Sequence, residues 1–197
     1  MSETNEYQQA MAAQLRPLFD GIDIVCEWRA MTGQTGVYSP RLDIAIGPFA
    51  IGNEIYAGEY DRLTGLASPL LEALYERSLD NFARFDGNND PVHFGEVVGR
   101  NYNARCFLAI EIENKSSRKH LMGGAINAAA LGRVGIAIGW NVGMVKAFVK
   151  LRAYLMYLSR VGKNTFDPYN LLVLSREQFT DAVAVLHRHR EAAARAS

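Results

Sequence analysis

Apolar residues recur along this chain at two periods, and the switching between them lays out the fold. Tyr7, Met11, Leu15 and Phe19 stand four apart and predict a helix over 5–19, stopped at Gly21. Ile22, Ile24, Cys26, Trp28 and Ala30 follow at period two and predict a strand over 22–31 with all five on one side. Thr32-Gly-Gln-Thr-Gly36 reads as a turn and 42–49 as a second strand ended by Gly47-Pro48, so an antiparallel hairpin is expected. Ser68 and Pro69 read as the N-cap and first residue of a helix reaching Phe85, with Leu70, Leu71, Leu74, Leu79, Phe82 and Phe85 on its apolar face. A loop over 86–91 leads to a strongly apolar strand over 104–114. Ser117 caps the next helix, which Gly132 ends, and 134–140 is a continuous apolar strand of the kind buried on both faces. A helix over 143–160, a strand over 171–174 and a last helix opened by a Ser175/Gln178 capping box complete the chain.

The order is α-β-β-(α)-β-α-β-α-β-α, which calls for an α/β layered fold. With 197 residues and 49% apolar composition, the chain suits a single domain over 1–197 with a full core. The 21 basic and 21 acidic residues cancel, so net charge does not announce a nucleic-acid binder, and a local basic strip stays compatible with that balance. Cys26 and Cys106 lie far apart inside apolar runs, which argues for free thiols in a reducing cytoplasm. No secretion signal is visible. The longest apolar stretch, 125–149, is broken by Asn127, Arg133, Asn141 and Lys146, so no membrane span is expected.

Two strands break their apolar pattern in the same way. In 41–47, Leu42, Ile44 and Ile46 are expected on one face and Asp43, Ala45 and Gly47 on the other. In 107–115, Leu108, Ile110 and Ile112 take one face, and Phe107, Ala109, Glu111, Glu113 and Lys115 the other. A solvated strand face is the ordinary reading of such alternation. It fits poorly here, because the second strand is central in the expected sheet and buried carboxylates need charge compensation. A bound divalent cation supplies it, and oxygen donors suit Mg²⁺ or Mn²⁺.

Pro40-Arg-Leu-Asp43, with Glu113-Asn-Lys115 far downstream at the end of an apolar strand, resembles the PD-(D/E)xK nuclease superfamily. The element order over 5–140 also resembles its αβββαβ core, with 59–85 as a helical insertion and 141–197 as a C-terminal extension. The resemblance implies a restriction-endonuclease-like fold, a mixed β-sheet flanked by helices. It implies a metal-dependent nuclease acting on DNA, with Mg²⁺ (or Mn²⁺) held by Asp43 and Glu113, the Asn114 carbonyl as a further ligand, and Lys115 as catalytic lysine. Pro40 stands three residues before Asp43 instead of beside it. Glu111-Ile-Glu113 offers a second register, in which Glu111 takes the acidic position and Glu113 replaces the lysine; the Glu113 and Lys115 register is preferred. A protein of this fold that binds or assembles without cleaving is the alternative. A homodimer suits cutting both strands of a duplex.

Arg118, Lys119 and His120 at a helix start, and Lys146 and Lys150 on the helix over 143–160, are candidate DNA contacts; solvated charge is the plain reading of both groups. Glu27, beside Arg29 on the first strand, could be an extra acidic ligand, and an ordinary ion pair is the preferred reading. Gly162-Lys-Asn-Thr165 and the glycines of 132–139 lack the spacings of phosphate-binding loops.

Overall fold

A computed structural model of the chain describes residues 2–31, 39–86, 92–115, 117–163 and 167–196. The expected alternation of periods resolves into α1 (Glu3–Leu15), β1 (Ile24–Arg29), β2 (Arg41–Ile46), α2 (Ala57–Leu66), α3 (Ser68–Phe85), α4 (Phe94–Gly99), β3 (Cys106–Glu113), α5 (Arg118–Leu131), β4 (Gly132–Gly139), α6 (Val142–Arg160), β5 (Leu171–Ser175) and α7 (Arg176–Ala196). The strands form one mixed sheet in the order β1-β2-β3-β4-β5. β1, β2 and β3 pair antiparallel, and β3, β4 and β5 pair parallel.

The sheet is covered on both faces, which is why β4 is buried along its whole length. On one face Ile44, Ile46, Leu108, Ile110, Ile136, Ile138, Leu172 and Leu174 pack under α1, α7 and the start of α3. On the other, the small residues Ala45, Ala109 and Ala137 meet Ala125 and Ala128 of α5 and Phe148 of α6. This second face needs its glycines. A Cβ on Gly135 would lie 2.6 Å from the Ala128 carbonyl oxygen, so α5 can seat on β4 only where no side chain intervenes.

The segment expected as an insertion closes the sheet. Val173 N–H donates to Ser78 Oγ at 2.9 Å, and Asn81 Nδ2 donates to the Val173 carbonyl at 2.9 Å. Ser78 and Asn81 are buried and one turn apart on α3, so the helix takes up edge groups that β5 would otherwise expose.

Several local expectations are corrected. α1 stops at Leu15, and a single 3₁₀ turn follows over Arg16–Leu18, around Pro17. Ala67, not Ser68, is the N-cap of α3, and Ser68 Oγ donates to Glu72 Oε1 at 2.6 Å. Ser117 occupies the N-cap of α5 without a side-chain bond. Residues 59–85 hold most of α2 and all of α3, and α4 was not anticipated. The Ser175/Gln178 capping box forms as expected, at 2.8 and 3.2 Å. The turn expected at 32–36 and the loop at 87–91 lie outside the described residues.

The largest correction concerns faces. Trp28, Ala30 and Leu42 pack on the α5–α6 side, whereas Ile24, Cys26, Ile44 and Ile46 pack on the α1 side. Both strands change sides at facing positions, between Cys26↔Ile44 and Trp28↔Leu42, and the residues at the change are Glu27 and Asp43. Glu27 has φ +56°, a left-handed conformation that a glutamate adopts only when its surroundings hold it there. Phe107 also leaves its expected face and packs against Phe19 and Tyr60, with ring centroids 6.0 and 6.3 Å away. Both cysteines are free thiols, and Cys106 is buried. Among the described residues no helix is long and apolar enough to cross a membrane.

Candidate functional site

The β2–β3 ladder runs from Ile46↔Leu108 to Ile44↔Ile110 and ends before Asp43. There β2 leaves β3, and the Asp43 carboxylate takes over: Oδ2 accepts the backbone N–H of Ile112 at 2.6 Å. A side chain thus replaces the strand carbonyl that would otherwise serve that donor. Because Ile112 lies between Glu111 and Glu113, the bond draws the Asp43 carboxylate up to the acidic end of β3.

Charge accumulates at this point. Burial pushes the Asp43 carboxyl up to about 6; the Ile112 N–H opposes the shift, the Glu27 and Glu113 charges add to it, and Arg41 pulls the other way. Glu111 is pushed well above the ordinary carboxylate range, first by burial and then by the charge on Asp43, against a 3.4 Å bond from Asn127 Nδ2. Two half-buried carboxyls that are both raised, Glu111 in part by the charge on Asp43, make a place where protons or a cation are favoured.

Two residues hold the arrangement from behind. Gln8 of α1 is buried, and its amide nitrogen donates to Glu27 Oε1 at 3.3 Å and to the backbone carbonyl of Asp43. Arg41 Nε pairs with Glu27 Oε2 at 2.7 Å. Glu27 therefore does form an ion pair, with Arg41 of the facing strand in place of its neighbour Arg29. Both bonds clamp Glu27 in its left-handed conformation beside Asp43.

Glu111 opens onto a cleft of about 740 Å³ between the β1–β2 hairpin and the first turns of α5. Arg29, Ser39 and Arg41 line the hairpin side, and Lys119, His120, Gly123, Gly124 and Asn127 line the α5 side. Gly124 keeps the carboxylate accessible: a Cβ there would sit 3.5 Å from Glu111 Cβ and 3.6 Å from Oε2, in ordinary contact.

The remaining expected site residues divide around this cleft. Glu113 Oε1 accepts the backbone N–H of Lys115 at 2.7 Å. Lys115 is exposed and is not among the residues lining the cleft. The Asn114 side chain ties the end of β3 to Thr4 of α1. Lys119 and His120 stand exposed on the rim, while the Arg118 side chain lies outside the described residues. Lys146 and Lys150 are exposed on α6, away from the cleft, and Lys150 lines a different groove. Gln8, Arg29, Arg41 and Asn127 were missed. For Gln8 a signal existed, because Gln8, Met11, Ala12 and Leu15 form the buried stripe of α1 at helical spacing, and a polar residue in such a stripe needs a buried partner.

Among the described residues, no group of three or more His, Cys, Asp or Glu side chains is arranged to hold a metal ion. The nearest candidate donors are two hard carboxylates, Asp43 and Glu111, close enough for the charge of Asp43 to raise Glu111, with the Asn127 amide beside Glu111; of the two, only Glu111 lines the cleft. That set matches an ion of the Mg²⁺ type, which takes one or two carboxylates and completes its shell with water and phosphate oxygens. No protein-family profile, curated protein or solved structure matches this chain.

Proposed function

We propose that this chain is a metal-dependent nuclease that hydrolyses phosphodiester bonds in DNA on a restriction-endonuclease-like scaffold. The observation that carries the reading is the bond from Ile112 N–H to Asp43, which brings one half-buried carboxylate to the strand end that carries another, Glu111, in the lining of a cleft with a basic rim. Asp43 and Glu111 would hold Mg²⁺ or Mn²⁺. When bound, such an ion activates water and offsets charge developing on phosphate oxygens. The chain's own residues supply the rest. Arg29, Arg41 and Lys119 attract the phosphate backbone into the cleft, and Asn127 fixes the orientation of Glu111.

The geometry favours the Glu111 register over the preferred reading from sequence, since Glu113 is engaged with the Lys115 backbone and the Lys115 side chain is exposed outside the cleft lining. The same placement of Lys115 favours the second reading, a protein of this fold that binds nucleic acid without cleaving it. Incubation of plasmid DNA with the protein and Mg²⁺ or Mn²⁺, beside Asp43→Asn, decides between them. Metal-dependent nicking by the wild type alone supports the nuclease. Intact plasmid with both proteins, together with retained DNA binding, supports the second reading. A two-fold dimer, proposed for duplex cutting, is checked by sedimentation of the same samples.

A further inference from the structure

The neutral overall charge conceals a strong segregation. α5 and α6 together carry Arg118, Lys119, Lys146, Lys150, Arg152 and Arg160 and no aspartate or glutamate, while the whole chain has 21 basic and 21 acidic residues. Arg152 has a structural role: it is buried, donates to the Leu171 carbonyl at 3.0 Å and lies over the Phe82 ring. Lys146 and Lys150 have no such core role and stand exposed, one turn apart, on the outer face of α6.

The same face continues with aromatics. Tyr154 and Tyr157 follow Lys150 at helical spacing and are 50% and 54% exposed. A tyrosine ring half in water on a helix that already has a full apolar face is a surface without an intramolecular purpose. Beneath it runs a groove of about 500 Å³ between α5 and α6, floored by Leu121, Met122, Ala147 and Leu151, with Lys150 and Tyr154 on its wall. α5 separates this groove from the acidic cleft. Its residues Lys119 and His120 line the cleft, and the next two, Leu121 and Met122, line the groove.

We infer that the α5–α6 groove binds a single-stranded stretch of nucleic acid. Lys146 and Lys150 take phosphates, and Tyr154 stacks on a base over the apolar floor. Charge complementarity selects a polyanion, because no carboxylate of either helix opposes one. The exposed tyrosine beside a hydrophobic groove selects unpaired bases over duplex, since a duplex keeps its base faces stacked internally and offers only its backbone to such a surface. The inference rests on the nuclease reading for its biological substrate, a strand passing from this groove over the start of α5 into the cleft. As a binding site it stands separately.

The test is fluorescence anisotropy with labelled oligothymidylate and with a duplex of the same length, on the full chain in an Asp43→Asn background so that no probe is cut. Single-strand binding tighter than duplex binding is expected. Lys146→Glu with Lys150→Glu should weaken it by ~10-fold or more and reduce the slope of log affinity against log salt by about 1.4, the value for two lost phosphate contacts on a single strand. Tyr154→Ala should cost ~5-fold or more, and Tyr154→Phe should restore the affinity, because stacking survives the loss of the hydroxyl. These side chains are exposed, and circular dichroism of each variant verifies the fold. Unchanged affinity in folded groove variants, or equal binding of the duplex, overturns the inference. If the groove variants lose binding while wild-type protein leaves plasmid intact, the nuclease reading fails and the groove stands. If wild type nicks plasmid and the groove variants bind as before, the reverse holds.

Discussion

Asp43 and Ile112 are joined by a 2.6 Å hydrogen bond from a backbone N–H to a carboxylate, and this one contact takes the place of the β2–β3 ladder where the two strands part. It is favourable as a bond and costly as a location, because it places the charge of Asp43 against those of Glu111, Glu113 and Glu27. Like charges packed this closely make measurable demands.

Asp43→Asn should stabilise the metal-free protein at neutral pH. The amide oxygen still accepts the Ile112 N–H, while the buried charge is gone. A melting temperature several degrees above wild type in EDTA is expected. Mn²⁺ should raise the wild-type melting temperature and leave that of Asp43→Asn unmoved. A variant less stable than wild type in EDTA would show that the Asp43 charge is compensated by something other than a cation.

The pH dependence follows from the raised carboxyl. Asp43 titrates at about 6 in the folded chain against an ordinary 3.8, so between those values the folded state holds more protons than the unfolded state. Stability from this group is therefore highest below 3.8 and is lost as pH rises through about 6, by on the order of 2–3 kcal/mol. Glu111 shifts in the same direction. Urea midpoints measured in EDTA should fall from pH 5 to pH 8, and Asp43→Asn should flatten the curve. A wild-type midpoint that rises over this range contradicts the assignment.

Two glycines should respond oppositely to alanine. Gly135→Ala drives a methyl to 2.6 Å from the Ala128 carbonyl oxygen and should cost ~1–3 kcal/mol as α5 is forced off the sheet. Gly124→Ala meets Glu111 only at ordinary contact distance and removes a mid-helix glycine, a gain of about 1 kcal/mol. Its melting temperature should rise while metal affinity falls, because the new methyl covers Glu111. Calorimetric titration with Mn²⁺ beside thermal melts separates the two effects.

Gln8→Leu tests the support behind the site. It preserves volume in the buried stripe of α1 but removes the donor to Glu27 and to the Asp43 carbonyl. A loss of ~1–3 kcal/mol is expected from the unsatisfied acceptors. Metal affinity should drop with it, since the turn of β2 at Asp43 loses its tether. Metal binding at wild-type strength in the folded variant would remove Gln8 from any role in positioning.

Much of this was written in the order of the residues. The periods of α1, α3, α5 and α6, the runs of β3 and β4, and the Ser175/Gln178 box are local statements, because helix and strand each bury a face at a fixed spacing. The acidic pattern at Asp43 and Glu111 was visible for the same reason, as a polar interruption in an apolar strand. Tertiary structure decided what a fixed period cannot express. β1 and β2 change faces at Glu27 and Asp43, because a left-handed residue held by Gln8 and Arg41 breaks the period-two rule that local reading assumes. That turn brings Asp43 to Ile112 and Glu111 and leaves Lys115 outside the cleft lining. Arg29, Arg41, Lys119 and Asn127 become neighbours only when the hairpin folds over the start of α5. Short-range order followed from side-chain spacing; the grouping of charges followed from how the strands bend and pack, and no stretch of sequence carries that information alone.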